Sequence, residues 1–296
     1  MPPRHRTSGS GRKELILGQR LVTRAHCPNH LGSAEVKLSG VLRRLGVLRG
    51  HRLGPVYIAR PKRLHEAWEE EVLSQALSVL SIDCVFDVGA NEGQFTDVLR
   101  NRVGFSGTIV SFEPMPDAAA RLRRLAAGDP LWFVEELAIA DVDGTADFHV
   151  MAHKEFSSLR RPSTEEVSSL PELTRFNTVE RTLTVETQTL STALARVQLA
   201  HAFQRPMLKL DTQGSDYLIL AASPAAARSF VAIQSELAIK RIYDGGQGYR
   251  ASLDQFDDLG FELSAFIPNN SGHFPHLIEV NCLMVRADQI GVRPDH

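Results

Sequence analysis

Cysteine is scarce in this chain, and the cysteines present form no cross-linking or zinc-binding pattern. Cys27, Cys84 and Cys282 lie far apart, and none belongs to a C-x-x-C pair. This spacing argues against a disulfide framework and fits a reducing compartment. His26, Cys27 and His30 form a local group, but no second ligand pair follows at zinc-finger spacing. We therefore predict no metal site from the cysteine and histidine pattern.

Uninterrupted apolar runs are also too short to cross a bilayer. A membrane-spanning helix needs about 20 consecutive apolar residues, and no run in the sequence has that length. The first residues lack the apolar core of a secretory signal. The sequence therefore predicts a cytoplasmic protein with no membrane span.

Charge is distributed unevenly along the chain. Residues 1–63 carry 14 Lys and Arg against two acids, which leaves 19 basic and 33 acidic residues in 64–296. A basic head can be a nucleic-acid arm, a membrane-surface tether or a solvated extension. The last is favoured because the head has no basic helix interleaved with aromatic residues. We predict a basic, partly disordered N-terminal extension over residues 1–62 and one domain over residues 63–296.

Short apolar segments rich in β-branched residues alternate with segments of helical periodicity from residue 63 onwards. This alternation is typical of an α/β fold with a doubly wound, Rossmann-like, mostly parallel sheet. The last two strands are joined by only about ten residues, too few for a helical crossover, so the last strand is expected to run antiparallel. The predicted strands are 84–88, 108–112, 132–137, 147–151, 182–190, 207–211, 231–236, 262–267 and 278–286.

The turn after the first predicted strand suggests a nucleoside-like cofactor. Its small residues allow a backbone to approach a ligand, although it matches neither G-x-G-x-x-G nor the phosphate-binding loop. Glu113 ends the second predicted strand, where an acid accepts hydrogen bonds from ribose hydroxyls. Asp87 and Glu92 place negative charge around the turn, which suits a sulfonium better than a pyrophosphate. S-adenosylmethionine is therefore favoured over NAD.

These segments together resemble the FkbM family of methyltransferases. The resemblance is carried by VFDVGANEG (85–93), FEP (112–114), LKLDTQG (208–214), QSE (234–236) and the closing strand, in family order over about residues 83–286. It implies a seven-stranded methyltransferase sheet and S-adenosylmethionine as cofactor. The cofactor-binding residues that it implies are Asp87, Gly89, Ala90, Asn91, Gly93, Glu113 and Ala138. Asp216 stands where the family usually has glutamate, and Asn281 stands near where an aspartate precedes the last strand.

The catalytic candidates follow from position at the carboxyl edge of the sheet. Lys209 and Asp211 are two residues apart on one strand and share a face, and Glu236 ends the strand expected beside it. Asp211 is predicted to orient or deprotonate the methyl acceptor. His273, in a loop on the same side, is the alternative base. Chelation of a divalent cation by Asp211 and Glu236 stays open as a third possibility.

The acceptor is not written in the sequence, so the expected activity comes from the resemblance. It implies O-methylation of a small molecule, glycan or glycolipid, or of a polyketide-type product. The irregular segment 152–180 would suit a bulky acceptor. Methylation of a nucleic-acid or protein nitrogen through the basic head is the alternative, but no [DNS]-P-P-[FYW] tetrapeptide occurs, so a nucleic-acid partner is not expected. A non-catalytic cofactor-binding protein is a further alternative, and the oligomeric state stays open.

Overall fold

The computed structural model describes residues 51–53, 56–58, 63–163, 165, 168, 174–268 and 277–290, all within the compact unit Gly50–His296. Most of the predicted extension lies outside these residues, and its boundary stays a prediction. Two short strands fall inside it, β1 (His51–Leu53) and β2 (Val56–Ile58), and they pair antiparallel. None of the described helices is both long and apolar enough to cross a membrane.

A seven-stranded sheet forms the centre of the fold and confirms the predicted α/β class. Six of its seven strands run parallel to one another, and the last strand along the chain runs in the opposite direction. The strand order is β11-β12-β10-β9-β3-β4-β5, and β12 is antiparallel to both of its neighbours, as expected. The strands are β3 (Cys84–Val88), β4 (Thr108–Phe112), β5 (Trp132–Glu135), β9 (Pro206–Leu210), β10 (Ala232–Ala238), β11 (Phe261–Ile267) and β12 (Glu279–Arg286).

A second, three-stranded sheet takes up the segments predicted as strands at 147–151 and 182–190. It consists of β6 (Ala138–Ala140), β7 (Gly144–Met151) and β8 (Val179–Thr189), in the order β6-β8-β7. The single strand predicted over 132–137 is wrong at its end, because β5 stops at Glu135 and β6 then begins in the other sheet. Phe148, Val150 and Val185 of this sheet pack on Met115 and Ala118, so it buries one face beside the carboxyl end of β4.

Helices cover both faces of the central sheet. The side chains of β3 alternate, with Phe86 in one apolar cluster and Val85 in the other. Residues of α1 pack in the cluster of Val85, and residues of α4, α5 and α6 pack in the cluster of Phe86. The helices are α1 (Leu64–Val79), α2 (Gln94–Asp97, continued by a π-turn at Val98–Arg102), α3 (Pro116–Ala126), α4 (Leu190–Ala200), α5 (Asp216–Ala222), α6 (Pro224–Ala227) and α7 (Tyr249–Asp258).

The turn after β3 lies against the end of β9 with no space for a side chain at Gly89. Gly89 has a φ of +79°, and a Cβ atom built there would lie 2.0 Å from the backbone oxygen of Asp211. The amide of Asp211 also donates to the carbonyl of Val88, at 3.1 Å. Glycine at this position therefore lets the predicted cofactor turn and the predicted catalytic strand end meet.

We expect Gly89→Ala to destabilise the protein by several kcal/mol because it adds a backbone clash to the strain of a positive φ. Gly104→Ala is the matched control, since Gly104 has a φ of +72° and nothing within 4 Å of the added Cβ. The control carries only the conformational cost, roughly 1–2 kcal/mol. Urea unfolding of both variants measures the difference. Equal losses of unfolding free energy would show that the close approach at Gly89 relaxes without cost.

Candidate active site

One cavity opens at the carboxyl ends of β3, β4, β9 and β10, where a doubly wound sheet binds its ligands. Its volume is about 440 Å³, within the range of cofactor and small-molecule sites. The segment after β7, including the 3-10 turn Lys154–Phe156, forms part of its wall. The cavity therefore combines the edge of the central sheet with part of the irregular segment expected to cover a site.

Glu113, just after β4, is a buried carboxylate that faces this cavity. Its Oε2 accepts a hydrogen bond from the amide of Asn91 at 2.8 Å, and its Oε1 accepts one from the amide of Met115 at 2.9 Å. Burial raises the pKa of Glu113 to about 7, although both hydrogen bonds act in the opposite direction. The two amides fix the orientation of the carboxylate, which keeps further lone pairs for ligand hydroxyls.

The wall near Glu113 is apolar. Met115 contributes to it from the start of α3, Ala138 and Ile139 from β6, and Phe148 from β7. Three of these four residues belong to the second sheet, so that sheet supplies most of the apolar wall near Glu113. Apolar and aromatic surfaces of this kind accept the faces of a heteroaromatic ring.

Lys209, on β9, forms a buried charge cluster at the wall of the cavity. Its Nζ lies 3.2 Å from Asp211 Oδ2 and 3.7 Å from Asp87 Oδ1, and 5.2 Å from the centre of the Phe95 ring. Burial alone would lower the pKa of Lys209, but the charges of Asp211 and Asp87 hold it above its ordinary value. For the carboxyl group of Asp87 burial has the opposite effect and raises the pKa, and the positive charge of Lys209 counteracts this rise. The ammonium thus compensates carboxylates on two adjacent strands.

Asp216 fastens the turn after β9 to the middle of β10. Its carboxylate accepts hydrogen bonds from the amide of Thr212 at 3.1 Å, from the hydroxyl of Ser235 at 2.8 Å and from the amide of Glu236 at 3.2 Å. This contact fixes the positions of Asp211 and Glu236 relative to each other. An aspartate in place of the usual glutamate therefore keeps a structural carboxylate here.

The family model described as the methyltransferase FkbM domain matches residues 87–263. This segment contains the turn after β3, Glu113, Lys209 and Asp211, and it makes up more than half of the chain. The chain belongs to the FkbM methyltransferase family. Methyltransferases of this family use S-adenosylmethionine, as the resemblance implied.

Solved structures resemble the fold only distantly. The FkbM methyltransferase from Methylobacillus flagellatus KT is 10% identical, with 69% of this chain and 43% of that chain covered at a TM-score of 0.41. Fibrillarin from Aeropyrum pernix, bound to S-adenosyl-L-methionine, is 10% identical, with coverages of 80% and 82% and a TM-score of 0.43. Magnesium protoporphyrin IX methyltransferase from Synechocystis PCC 6803 is 10% identical, with coverages of 89% and 100% and a TM-score of 0.40. No curated protein matches significantly.

Most of the site residues predicted from the FkbM motifs and from the carboxyl edge of the sheet are brought together by the fold. The lining residues among them are Gly89, Ala90, Asn91, Glu113, Ala138 and Asp211. Asp87 and Gly93 do not line the cavity: Asp87 is fully buried behind Lys209, and Gly93, with a φ of +89°, precedes α2. His273 lies outside the described residues. The binding and catalytic roles of these residues stay predictions.

Glu69 is a lining residue that the sequence motifs did not identify. It lies on α1, before the matched FkbM segment, and its Oε1 accepts a hydrogen bond from Gln234 Nε2 at 3.4 Å. Burial raises the pKa of Glu69, and the hydrogen bond from Gln234 opposes this. In the sequence Glu69 belongs to a run of three glutamates, so no local signal separates it from Glu70 and Glu71. Asn281 of β12 also lines the cavity, opposite Glu236 in the strand register.

We expect Lys209→Met to destabilise the protein by about 3–5 kcal/mol, because it leaves the buried carboxylate of Asp87 without a compensating charge. Arg123→Met is the control, since it breaks an ion pair to Glu136 whose side chains are 49% and 35% exposed. That change should cost less than about 1 kcal/mol. Chemical denaturation at pH 7 compares the two. A loss at Lys209 no larger than at Arg123 would mean that the cluster does not depend on its ammonium.

Proposed function

We propose that this protein transfers a methyl group from S-adenosylmethionine to a hydroxyl group of a sugar, glycolipid or polyketide-type acceptor. The cofactor supplies a methyl group on a sulfonium, from which an oxygen nucleophile takes it by in-line displacement. The observation that carries the proposal is a single cavity lined both by a backbone-held carboxylate, Glu113, and by a lysine-paired carboxylate, Asp211.

The described residues fit a nucleoside bearing a positive charge. Glu113 would accept hydrogen bonds from the ribose hydroxyls, because its carboxylate is already aligned by the amides of Asn91 and Met115. The apolar wall that includes Ala138 and Phe148 would hold the adenine. Carboxylates outnumber ammonium groups along the lining, which favours a sulfonium over a phosphate.

Asp211 would act on the acceptor. It lies directly after β9 and is half-exposed to the cavity, with 39% of its side chain accessible. A carboxylate at this position can accept the hydroxyl proton or hold the hydroxyl in line with the methyl group, and correct alignment supplies much of the rate of such a displacement. Lys209 anchors its Oδ2.

A methyl-transfer screen with isotopically labelled S-adenosylmethionine tests the proposal. The full chain is incubated with separate fractions of glycans and glycolipids, polyketides, nucleic acids and proteins. Label should enter the glycan, glycolipid or polyketide fraction in an alkali-stable ether. Label that enters only nucleic acid or protein would refute the proposed acceptor class and favour an N-methyltransferase that uses the basic head.

The affinity for S-adenosylhomocysteine should rise with pH through the titration of Glu113. The pKa of about 7 in the free protein leaves this carboxylate mostly protonated at pH 6 and mostly ionised at pH 8. Because the ionised form accepts both hydroxyls, we expect an affinity gain of about tenfold between these values. Calorimetry measures it. Glu113→Gln should bind S-adenosylhomocysteine weakly and with no dependence on pH. The exposed control Glu136→Gln should show the same pH dependence as the wild type. A flat wild-type profile would contradict the ribose assignment.

Asp211→Asn should lower the turnover number by about a hundredfold or more while the affinity for S-adenosylhomocysteine changes little. Asparagine keeps the shape of the side chain but cannot take the acceptor proton. Asp254→Asn, on the exposed side of α7, is the control and should leave both quantities unchanged. Single-turnover kinetics and calorimetry separate the two effects. Loss of cofactor affinity without a separate turnover defect would make Asp211 a binding residue and move the base to His273.

A further inference from the structure

Gln213 lies between two carboxylates on the wall of the cavity, those of Asp211 and Glu236. Its side-chain Nε2 donates to Asp211 Oδ1 at 3.0 Å and to Glu236 Oε2 at 3.2 Å. Asp211 comes from the end of β9 and Glu236 from β10, so one amide group links two neighbouring strands. Both amide hydrogens are thus directed at carboxylate oxygens on the cavity wall.

The amide has only one orientation that its neighbours accept. An ionised carboxylate can only accept hydrogen bonds, so the NH2 group must face Asp211 and Glu236. The opposite atom, Oε1, accepts a hydrogen bond from the hydroxyl of Tyr243 at 2.6 Å. Burial, with the nearby charge of Glu236, raises the pKa of Tyr243 well above its ordinary value, so this hydroxyl keeps its proton. Tyr243 therefore orients the amide from behind.

The backbone of Gln213 is held in a conformation that a side chain rarely adopts. Its φ is +54°, and its carbonyl accepts a hydrogen bond from the hydroxyl of Ser158 at 2.7 Å. The next residue, Gly214, fits beneath Tyr243, where an added Cβ would lie 2.9 Å from the tyrosine Cβ. Such a conformation costs about 1–3 kcal/mol and is kept where the surroundings determine it. The strained backbone conformation at Gln213 is therefore held by the surrounding contacts, and it places the side-chain amide between the two carboxylates.

Two carboxylates that converge on one point are the arrangement in which proteins bind hard divalent cations. Here the convergence point holds two N–H hydrogens, which carry partial positive charge and satisfy one oxygen of each carboxylate. Lys209 compensates the other oxygen of Asp211 at 3.2 Å. Among the described residues, no group of three or more His, Cys, Asp or Glu side chains is arranged to hold a metal ion. The amide hydrogens therefore occupy the point at which a cation would meet both carboxylates.

We propose that Gln213 is a positioning residue that takes the place of a divalent cation, holding Asp211 and Glu236 at a fixed separation for an acceptor hydroxyl. The inference rests on the role proposed for Asp211. It predicts that removing the amide, or replacing it by a third carboxylate, turns the pair into a metal site.

Mn²⁺ alone tests this without an acceptor, through the loss of the electron-paramagnetic-resonance signal of free Mn²⁺ on binding to the full chain. Wild type should show no saturable binding below about 1 mM, the weak end of protein carboxylate sites. Gln213→Glu should bind at least tenfold more tightly, and Asp211→Asn in that background should abolish the gain. Gln75→Glu is the control: Gln75 donates to Glu71 at 2.8 Å on the exposed face of α1, and this variant should behave as wild type.

Gln213→Gly is a second test in case Gln213→Glu does not fold. Glycine tolerates the positive φ and leaves the space between the two carboxylates free. It should also gain Mn²⁺ binding that depends on Asp211. The inference is overturned if neither variant binds Mn²⁺ more tightly than Gln75→Glu. It is equally overturned if wild type binds Mn²⁺ and loses it on Asp211→Asn.

Turnover with an acceptor found by the screen separates this inference from the proposed function. Gln213→Glu should lose at least tenfold in turnover number and recover most of it with Mn²⁺, while wild type is indifferent to chelator and metal. A role limited to folding would not produce metal rescue. If the Mn²⁺ titrations behave as expected and no hydroxyl is methylated, the proposed function fails and the placement of the amide stands.

Discussion

The buried ammonium of Lys209 is the interaction on which the site depends most. It is the one buried lysine or arginine among the described residues, and it touches carboxylates from β3 and β9 at once. Oδ1 of Asp87 has no hydrogen-bond partner within the described part of the chain, so the ammonium is its main compensation. Moving a carboxylate out of water costs several kcal/mol unless such a partner is present. The position of Asp211 at the cavity is therefore tied to the interior charge balance of the sheet.

The parts of the fold that the sequence predicts are those with local signals. The strand β3 and its turn combine an apolar run with glycines that adopt positive φ angles. The connection before β12 is too short for a helical crossover, so β12 must run antiparallel to the strand before it. The second sheet has no comparable signal, because alternation within β7 and β8 is the same whichever sheet they join. The three residues of β6 follow β5 so closely that they extend its pattern. Which sheet they enter is decided by packing on Met115 and Ala118.

The same limit applies to the site. Glu113 and Asp211 could be located because residues just past parallel strands meet at one edge of the sheet. Glu69 could not, since only the packing of α1 distinguishes it from the glutamates beside it. Gln213 follows Asp211 in a recognisable segment, but the role proposed for it depends on Glu236 and Tyr243, which come from later in the chain. Motif positions in the sequence therefore predict which backbone segments reach the cavity. Which side chains hydrogen-bond to one another there depends on tertiary contacts that the sequence does not reveal.

Glu113 and Asp211 illustrate how one cavity gives two carboxyl groups different chemistry. Glu113 is surrounded by protein and hydrogen-bonded by two backbone amides, which leaves burial dominant and its pKa near 7. Its fixed geometry suits binding of hydroxyl groups that do not react. Asp211 is more exposed and is contacted by a full positive charge and by a side-chain amide that is itself held by the hydroxyl of Tyr243. Backbone donors therefore fix the carboxylate of Glu113, while side-chain donors, which substitution can alter one at a time, hold the carboxylate of Asp211.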